Sequence, residues 1–240
     1  MGEETVTVSA MPPDETPAPD DPRVRAARTK RERTRRALLE SADALFGTRG
    51  WNQTRVEDVA AAAGVSPATA YNHFPTKHAL IGTVYAPLIR PLALSAEEDR
   101  RTGRPVVEAL SEQVRALSRT SARHRTLTAA LTLAMLDYTA RTTAPPDPED
   151  QGDPRNLAPM TSAIQGLIED GQRSGELRPF PSAVELSGMV INLLLVRSLN
   201  RPDETADQTA EMLLTVMFGA AKPELLASRG VGGRPFFSDD

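Results

Sequence analysis

TRVEDVAAAAGVSPATAYNHFPTK, residues 54–77, fixes two short helices and the turn between them. Thr54 is placed to cap the first. Its hydroxyl can accept from first-turn N–H groups while Glu57 reaches back to complete a capping box. Val56, Val59, Ala60 and Ala63 then recur at i, i+3, i+4 and i+7, one apolar stripe at helical period. Gly64 stands where a left-handed residue ends a helix without steric cost, and Val65 can pack back on the helix it leaves. Ser66 caps the second helix, and Pro67 suits its first turn because it has no N–H to leave unsatisfied. So short a turn sets the two helices at a steep angle, the geometry of a helix-turn-helix.

On the second helix Ala70 and Phe74 can face inward. Ser66, Pro67, Ala68, Thr69, Asn72 and His73 then stay outside, with Tyr71 at the margin. Small and hydrogen-bonding side chains of this kind can approach base edges in a major groove, while Tyr71, His73 and Lys77 can reach phosphates. The same pattern also suits an ordinary helical corner with a solvated face, so the surrounding residues carry the decision.

Those surroundings are ALLESADALFGTRGW at 37–51 and HAL at 78–80. From Thr34 to Leu80 the chain resembles the TetR (tetracycline repressor) family of bacterial one-component regulators. The resemblance implies an all-α fold, with a three-helix helix-turn-helix DNA-binding domain followed by an all-helical ligand-binding and dimerisation domain. It also implies repression relieved by a small molecule. By position it implies that Thr54 and Arg55 touch phosphate, that Ser66, Ala68, Thr69 and Asn72 face bases, and that Tyr71, His73 and Lys77 grip the backbone. Ala70 is smaller than the leucine or isoleucine usual there in the family, which bears on the tilt of the recognition helix.

Charge is distributed to match. Residues 1–22 carry six acidic and no basic side chains, residues 23–80 carry eleven basic and five acidic, and residues 81–240 carry seventeen basic and twenty-one acidic. A lobe of +6 on an otherwise acidic chain is the electrostatic footprint of a nucleic-acid-binding domain. Residues 1–22, rich in Pro, Asp, Glu and Thr, read as a disordered tail. Arg23, Arg25, Arg28, Lys30, Arg31, Arg33, Arg35 and Arg36 then run into a first helix whose inward stripe is Leu38, Ala42, Leu45 and Phe46 and whose end is Gly50. Two readings of this basic arm stand: a solvated, frayed helix start, or a flexible arm that tracks phosphates or enters the minor groove.

The absence of cysteine excludes disulfide and thiolate chemistry. His73, His78 and His124 are too scattered for a zinc site, and no cofactor is expected. No basic segment followed by an apolar core opens the chain, and the longest apolar run, Met189 to Val196, falls short of a membrane span. The chain therefore reads as cytoplasmic, with no membrane partner.

Thr76 can cap a fourth helix with Pro87 inside its pattern and Pro91 near its end, so this helix should be kinked. The bend is either a hinge between the two domains or a kink that merely follows the core. Beyond Gly103, helical patterns recur over 105–121, 123–140, 157–174, 181–200 and 203–221, and nothing alternates at period two. TTAPPDPEDQGDPRN, 142–156, holds four prolines and four acids and reads as a loop, either a plain linker or a pocket cover. The domain division is thus an acidic tail (1–22), a basic arm with the helix-turn-helix (23–80), a helical regulatory domain (81–222) and a flexible tail (223–240).

The segment Pro181–Asn200 is apolar nearly all round and needs partners on two sides. The family resemblance implies a four-helix bundle across a two-fold axis, with Leu186, Val190, Leu193, Leu194, Met212 and Val216 as the interface; a central core helix of a monomer is the alternative. It also implies a pocket among the middle helices. Tyr85, Leu117, His124, Leu127, Leu131, Met135, Tyr138, Ile164 and Ile168 would make that pocket aliphatic and adaptable, suited to a small hydrophobic effector.

The sequence thus reads as a homodimeric, ligand-responsive regulator, a repressor on a palindromic double-stranded operator. Two other classes compete: a helical architectural protein that binds DNA without sequence preference, and a helical enzyme. The enzyme reading has no activated nucleophile, phosphate-binding glycine loop or metal-ligand spacing behind it.

Overall fold

A computed structural model describes residues 22–142 and 147–224. Residues 1–21 of the tail expected over 1–22, residues 143–146 of the acidic loop and residues 225–240 of the tail expected over 223–240 lie outside the described residues. Among the described residues every regular element is helical. In chain order these are α1 (Pro22–Arg49), α2 (Val56–Ala62), α3 (Pro67–His73), α4 (Lys77–Thr102), α5 (Val106–Arg123), α6 (Arg125–Arg141), α7 (Pro154–Leu157), a 3-10 turn (Met160–Ala163), α8 (Gln165–Ser174), α9 (Ala183–Asn200) and α10 (Ala206–Ala221).

Local chemistry sets most of these boundaries. Ser66 Oγ accepts from the Thr69 N–H at 3.2 Å, and Thr76 Oγ1 accepts from the Ala79 N–H at 3.0 Å. Ser182 with Glu185 and Thr205 with Gln208 form complete capping boxes at the starts of α9 and α10. Gly64 takes φ +69°, and the Val65 N–H returns to the Ala60 carbonyl at 2.9 Å, closing α2 as its spacing predicts.

Three expectations are corrected. The basic arm is part of the first helix, which runs unbroken over Pro22–Arg49. The connecting helix does not stop near Pro91 but runs on to Thr102. Pro87 and Pro91 both lie on its exposed side, so the missing donors spare the core-facing bonds. The loop expected over 142–156 ends in α7, and the single helix expected over 157–174 is replaced after Pro159 by the 3-10 turn and α8, since a proline disfavours helical backbone before it.

The regulatory part is built on α4. It packs on α1 at its start, on α5, α6 and α8 further along, and on α7, while α10 lies on α5 and α9 is held between α6, α8 and α10. The approach of α7 is close enough to require Gly82, where a Cβ would meet the Leu157 Cβ at 2.8 Å and the Pro154 Cα at 3.0 Å. Segments of α4 and α9 are long and apolar enough to cross a bilayer, with mean hydropathy of 1.4 and 1.3. Both are packed into the helical assembly, and apolar length alone does not distinguish a core helix from a span.

Candidate nucleic-acid interface

Helix α3 is held by two anchors, Ala70 and Phe74, which are 1% and 2% exposed. They rest on the cluster of Leu38, Ala42, Phe46, Val56, Val59 and Ala60 that α1 and α2 supply. With these inside, Ser66, Pro67, Ala68, Tyr71 and Asn72 are exposed and Thr69 and His73 half-exposed, so the expected outward face is the outward face. The hydroxyls of Ser66 and Thr69 lie 2.9 Å apart and hydrogen-bond each other, which fixes both rotamers at the start of the face.

The start of α2 differs from its sequence reading. Thr54 is 1% exposed and does not cap the helix; its hydroxyl turns inward to the carbonyls of Gly50, at 2.8 Å, and Leu45, at 3.2 Å. The N-cap is Arg55, whose backbone N–H donates to the Asp58 carboxylate at 3.3 Å. Glu57 is free of the cap and instead accepts the Tyr71 phenolic proton at 2.9 Å. That bond raises the Tyr71 phenol above its ordinary range. The Glu57 carboxyl is held below its own, by its backbone N–H first and by Tyr71 second. Tyr71 has a single proton to give, so while it serves Glu57 it cannot donate to a phosphate.

Lys77 is likewise committed. Its ammonium donates to the Trp51 carbonyl and sits 3.9 Å from the Trp51 ring centroid, and burial pushes its pKa down. His73 is pushed down as well, by burial first and then by the Arg31 and Arg35 charges, which favours the neutral ring. Arg55 is exposed, and the side chains of α1 from Pro22 to Arg33 lie on the surface.

Trp51 organises a junction that the sequence reading did not find. Its ring stacks on Phe46 at 6.1 Å and meets His78 at 5.0 Å, and His78 in turn faces the edge of Tyr138 at 5.4 Å. His78 Nε2 lies 2.8 Å from Asp137 Oδ2, whose other oxygen accepts from Arg141 Nε at 2.9 Å. The Tyr138 hydroxyl donates to Asp150 of the acidic loop. That loop is therefore no plain linker where described, since Asp153 caps α7 and is 2% exposed. The helix-turn-helix, α4, α6 and the loop thus meet at one place. The lone Trp after Gly50 was the available signal; Asp137, 59 residues from His78, was not. Asp137→Ala leaves the half-buried imidazole without its acceptor and is expected to cost about 1–3 kcal/mol. A urea midpoint equal to that of the parent protein would show that the pair carries no energy.

The two other candidate sets fare differently. Tyr85, Leu117, Leu127, Leu131, Ile164 and Ile168 are buried core, and the Tyr85 hydroxyl is satisfied by Thr128 Oγ1 at 2.8 Å. Met135 and Tyr138 are half-buried, and His124 with Leu127 borders a groove of about 410 Å³ against α1. Of the dimer candidates, Leu186, Val190 and Leu194 belong to the protomer core at 0%, 1% and 1% exposure, and Leu193, Met212 and Val216 are half-buried. The face of α9 turned outward is instead that of Val184, Met189 and Val196, at 64%, 50% and 45% exposure.

Residues 38–84 match the family model described as bacterial regulatory proteins, tetR family. No curated protein matches the sequence. Among solved structures the chain is similar to FadR of Thermus thermophilus, a TetR-family transcriptional repressor in complex with lauroyl-CoA, at 22% identity and a TM-score of 0.60 over 86% of this chain and 100% of that one. It is also similar to RolR in complex with resorcinol, at 16% identity and 0.56 over 89% and 100%. FadR from Bacillus subtilis in complex with stearoyl-CoA matches at 17% identity and 0.56, over 75% and 96%.

Proposed function

We propose that the chain, whose residues 38–84 match the model of the tetR family of bacterial regulatory proteins, is a ligand-responsive repressor that binds a near-palindromic operator as a dimer. The observation that carries the reading is the outward face of α3: short, polar side chains presented on a helix whose anchors Ala70 and Phe74 are buried. A face this low can enter a major groove until Thr69 and Asn72 reach base edges. Ser66, Pro67 and Ala68 line its leading end. Arg55 and the basic side chains of α1 serve phosphates, with His73 as a neutral donor and Tyr71 available once it leaves Glu57.

Dimerisation is assigned to the outward face of α9 and α10, through Val184, Met189, Leu193, Val196, Met212 and Val216. Such a two-fold pair presents two recognition helices one helical turn apart, or a multiple of it. The ligand complexes of the structurally similar FadR and RolR proteins favour a small-molecule effector here, with the Trp51–His78–Asp137 junction as the route from α6 to the helix-turn-helix. The compartment is then the cytoplasm.

Competition binding tests the reading. Thr69→Ala and Asn72→Ala are each expected to cut the preference for operator over random DNA by about 1–3 kcal/mol for a base edge no longer read, with little change on random DNA. If both variants weaken all sequences alike, the chain is a non-specific architectural binder and the repressor reading is wrong.

A further inference from the structure

At the end of α5 nearest the α9–α10 turn lies a polar chamber that the DNA-binding surface does not use. Ser118 and Ser121, on neighbouring positions of α5, are 1% and 3% exposed, and neither hydroxyl closes a hydrogen bond of good geometry, although Ser121 leans toward the Tyr85 phenol. Buried hydroxyls in a folded protein almost always find partners, so two orphans side by side point to something that binds between them. They border a cavity of about 20 Å³, room for one water-sized group. The same cavity is lined by Arg125, Arg197, Arg201, Glu204 and Thr209. Three arginines and one glutamate thus line it, and the Glu204 carboxylate accepts from Arg197 Nε at 2.9 Å and the Thr209 hydroxyl at 3.0 Å.

Outside this chamber opens a basin of about 870 Å³ that shares Arg197, Arg201 and Glu204 with it. The basin's lining also carries Asp203, Asp207 and Glu211, and it shares Met212 with the face assigned to dimerisation. Positive charge and free hydroxyls therefore lie inside, and negative charge outside. A ligand complementary to both carries an oxyanion at one end and a cation at the other. Between these charged ends the accessible surface of the basin is mostly apolar, so the ligand's two charges are joined by an alkyl spacer.

We propose that the chamber and basin form the effector site, and that they take a small zwitterion of amino-acid type. One oxygen of its carboxylate enters the chamber to accept from Ser118 and Ser121, the other stays at the mouth with the arginines, and its ammonium group rests on the acidic wall. The proposal rests on the reading of the chain as a ligand-responsive regulator, and it names a charged effector where the sequence led to the expectation of a small hydrophobic one. Arg125 supplies the link to DNA binding. It is the first residue of α6 and its guanidinium is tied to the carbonyls of Pro202 and Glu204 in the α9–α10 turn. Drawing it toward an incoming carboxylate loosens that tie and loads α6, which packs on α1 and carries Asp137 to His78.

Calorimetric titration of the full chain with glycine, 4-aminobutyrate and 6-aminohexanoate tests this, with butyrate and butylammonium as half-ligands. At least one amino acid is expected to bind ten-fold or more tighter than either half-ligand. The Ser118→Ala/Ser121→Ala variant should weaken that binding at least ten-fold without lowering the melting temperature, since it only removes unpaired hydroxyls. No heat with any of the three, equal binding by the double variant, or butyrate binding as tightly as the amino acids each overturns the proposal; the first two leave the chamber as the seat of a structural water. A mobility shift with the chain's own upstream DNA separates this from the parent reading. Specific retardation without amino-acid binding refutes the effector site alone, whereas no specific retardation refutes the regulator.

Discussion

Phe74→Ala is expected to destabilise the DNA-binding domain by about 3–5 kcal/mol and to abolish operator binding. Phe74 is 2% exposed at the C-cap of α3, and the Arg35 guanidinium lies 4.5 Å above its ring. The other inward residue of α3 is Ala70, which has a single methyl group to bury, so the helix has one large anchor where a seven-residue helix would ordinarily use two. A helix of that length has no stability of its own in water and persists only through packing. Removing the ring therefore releases the recognition surface as well as opening a cavity. Thermal or urea unfolding of the variant measures the loss, and a loss below about 1 kcal/mol would mean that α3 is held by something other than Phe74.

The second large effect concerns the exposed first half of α1. Replacing Arg25, Arg28, Lys30 and Arg33 by Gln is expected to flatten the salt dependence of DNA binding by about 0.9 for each phosphate left unneutralised, up to ~3.6 in all. Over the range from about 50 to 200 mM salt that difference amounts to roughly a 100-fold change in relative affinity. The physical case is one of missing alternatives. Residues 22–33 are all exposed, so no packing explains the helix, and the Arg28–Glu32 pair at 3.1 Å is a surface ion pair worth little. Gln is nearly as good a helix former as Arg, so the substitutions change charge more than structure. An unchanged slope would reduce this segment to a solvated extension of the domain.

The two predictions draw on different layers of the molecule. That Phe74 points inward is a matter of spacing along α3, readable from the sequence. That the basic segment is helical from Pro22 and continuous with the rest of α1 was not readable, because its basic residues surround the helix and leave no apolar stripe from which a period could be taken. Thr54 shows the same limit at one residue's scale. Its hydroxyl suits a cap by local chemistry, but the Gly50 and Leu45 carbonyls, brought close by the turn after α1, take it instead, and Tyr71 from the next helix takes Glu57.

By itself the sequence determined the helix-turn-helix, the all-helical class, the inward face of α3 and the caps that start α3 and α4. These depend on interactions within one or two turns of chain, where spacing and residue type suffice. Tertiary structure alone decided which face of α9 is core, since a helix apolar all round offers no preferred side until its neighbours arrive. It likewise decided that Trp51, His78, Asp137 and Asp150 converge. Each of those outcomes joins residues far apart in the chain, and is fixed by how whole helices pack and not by any local pattern.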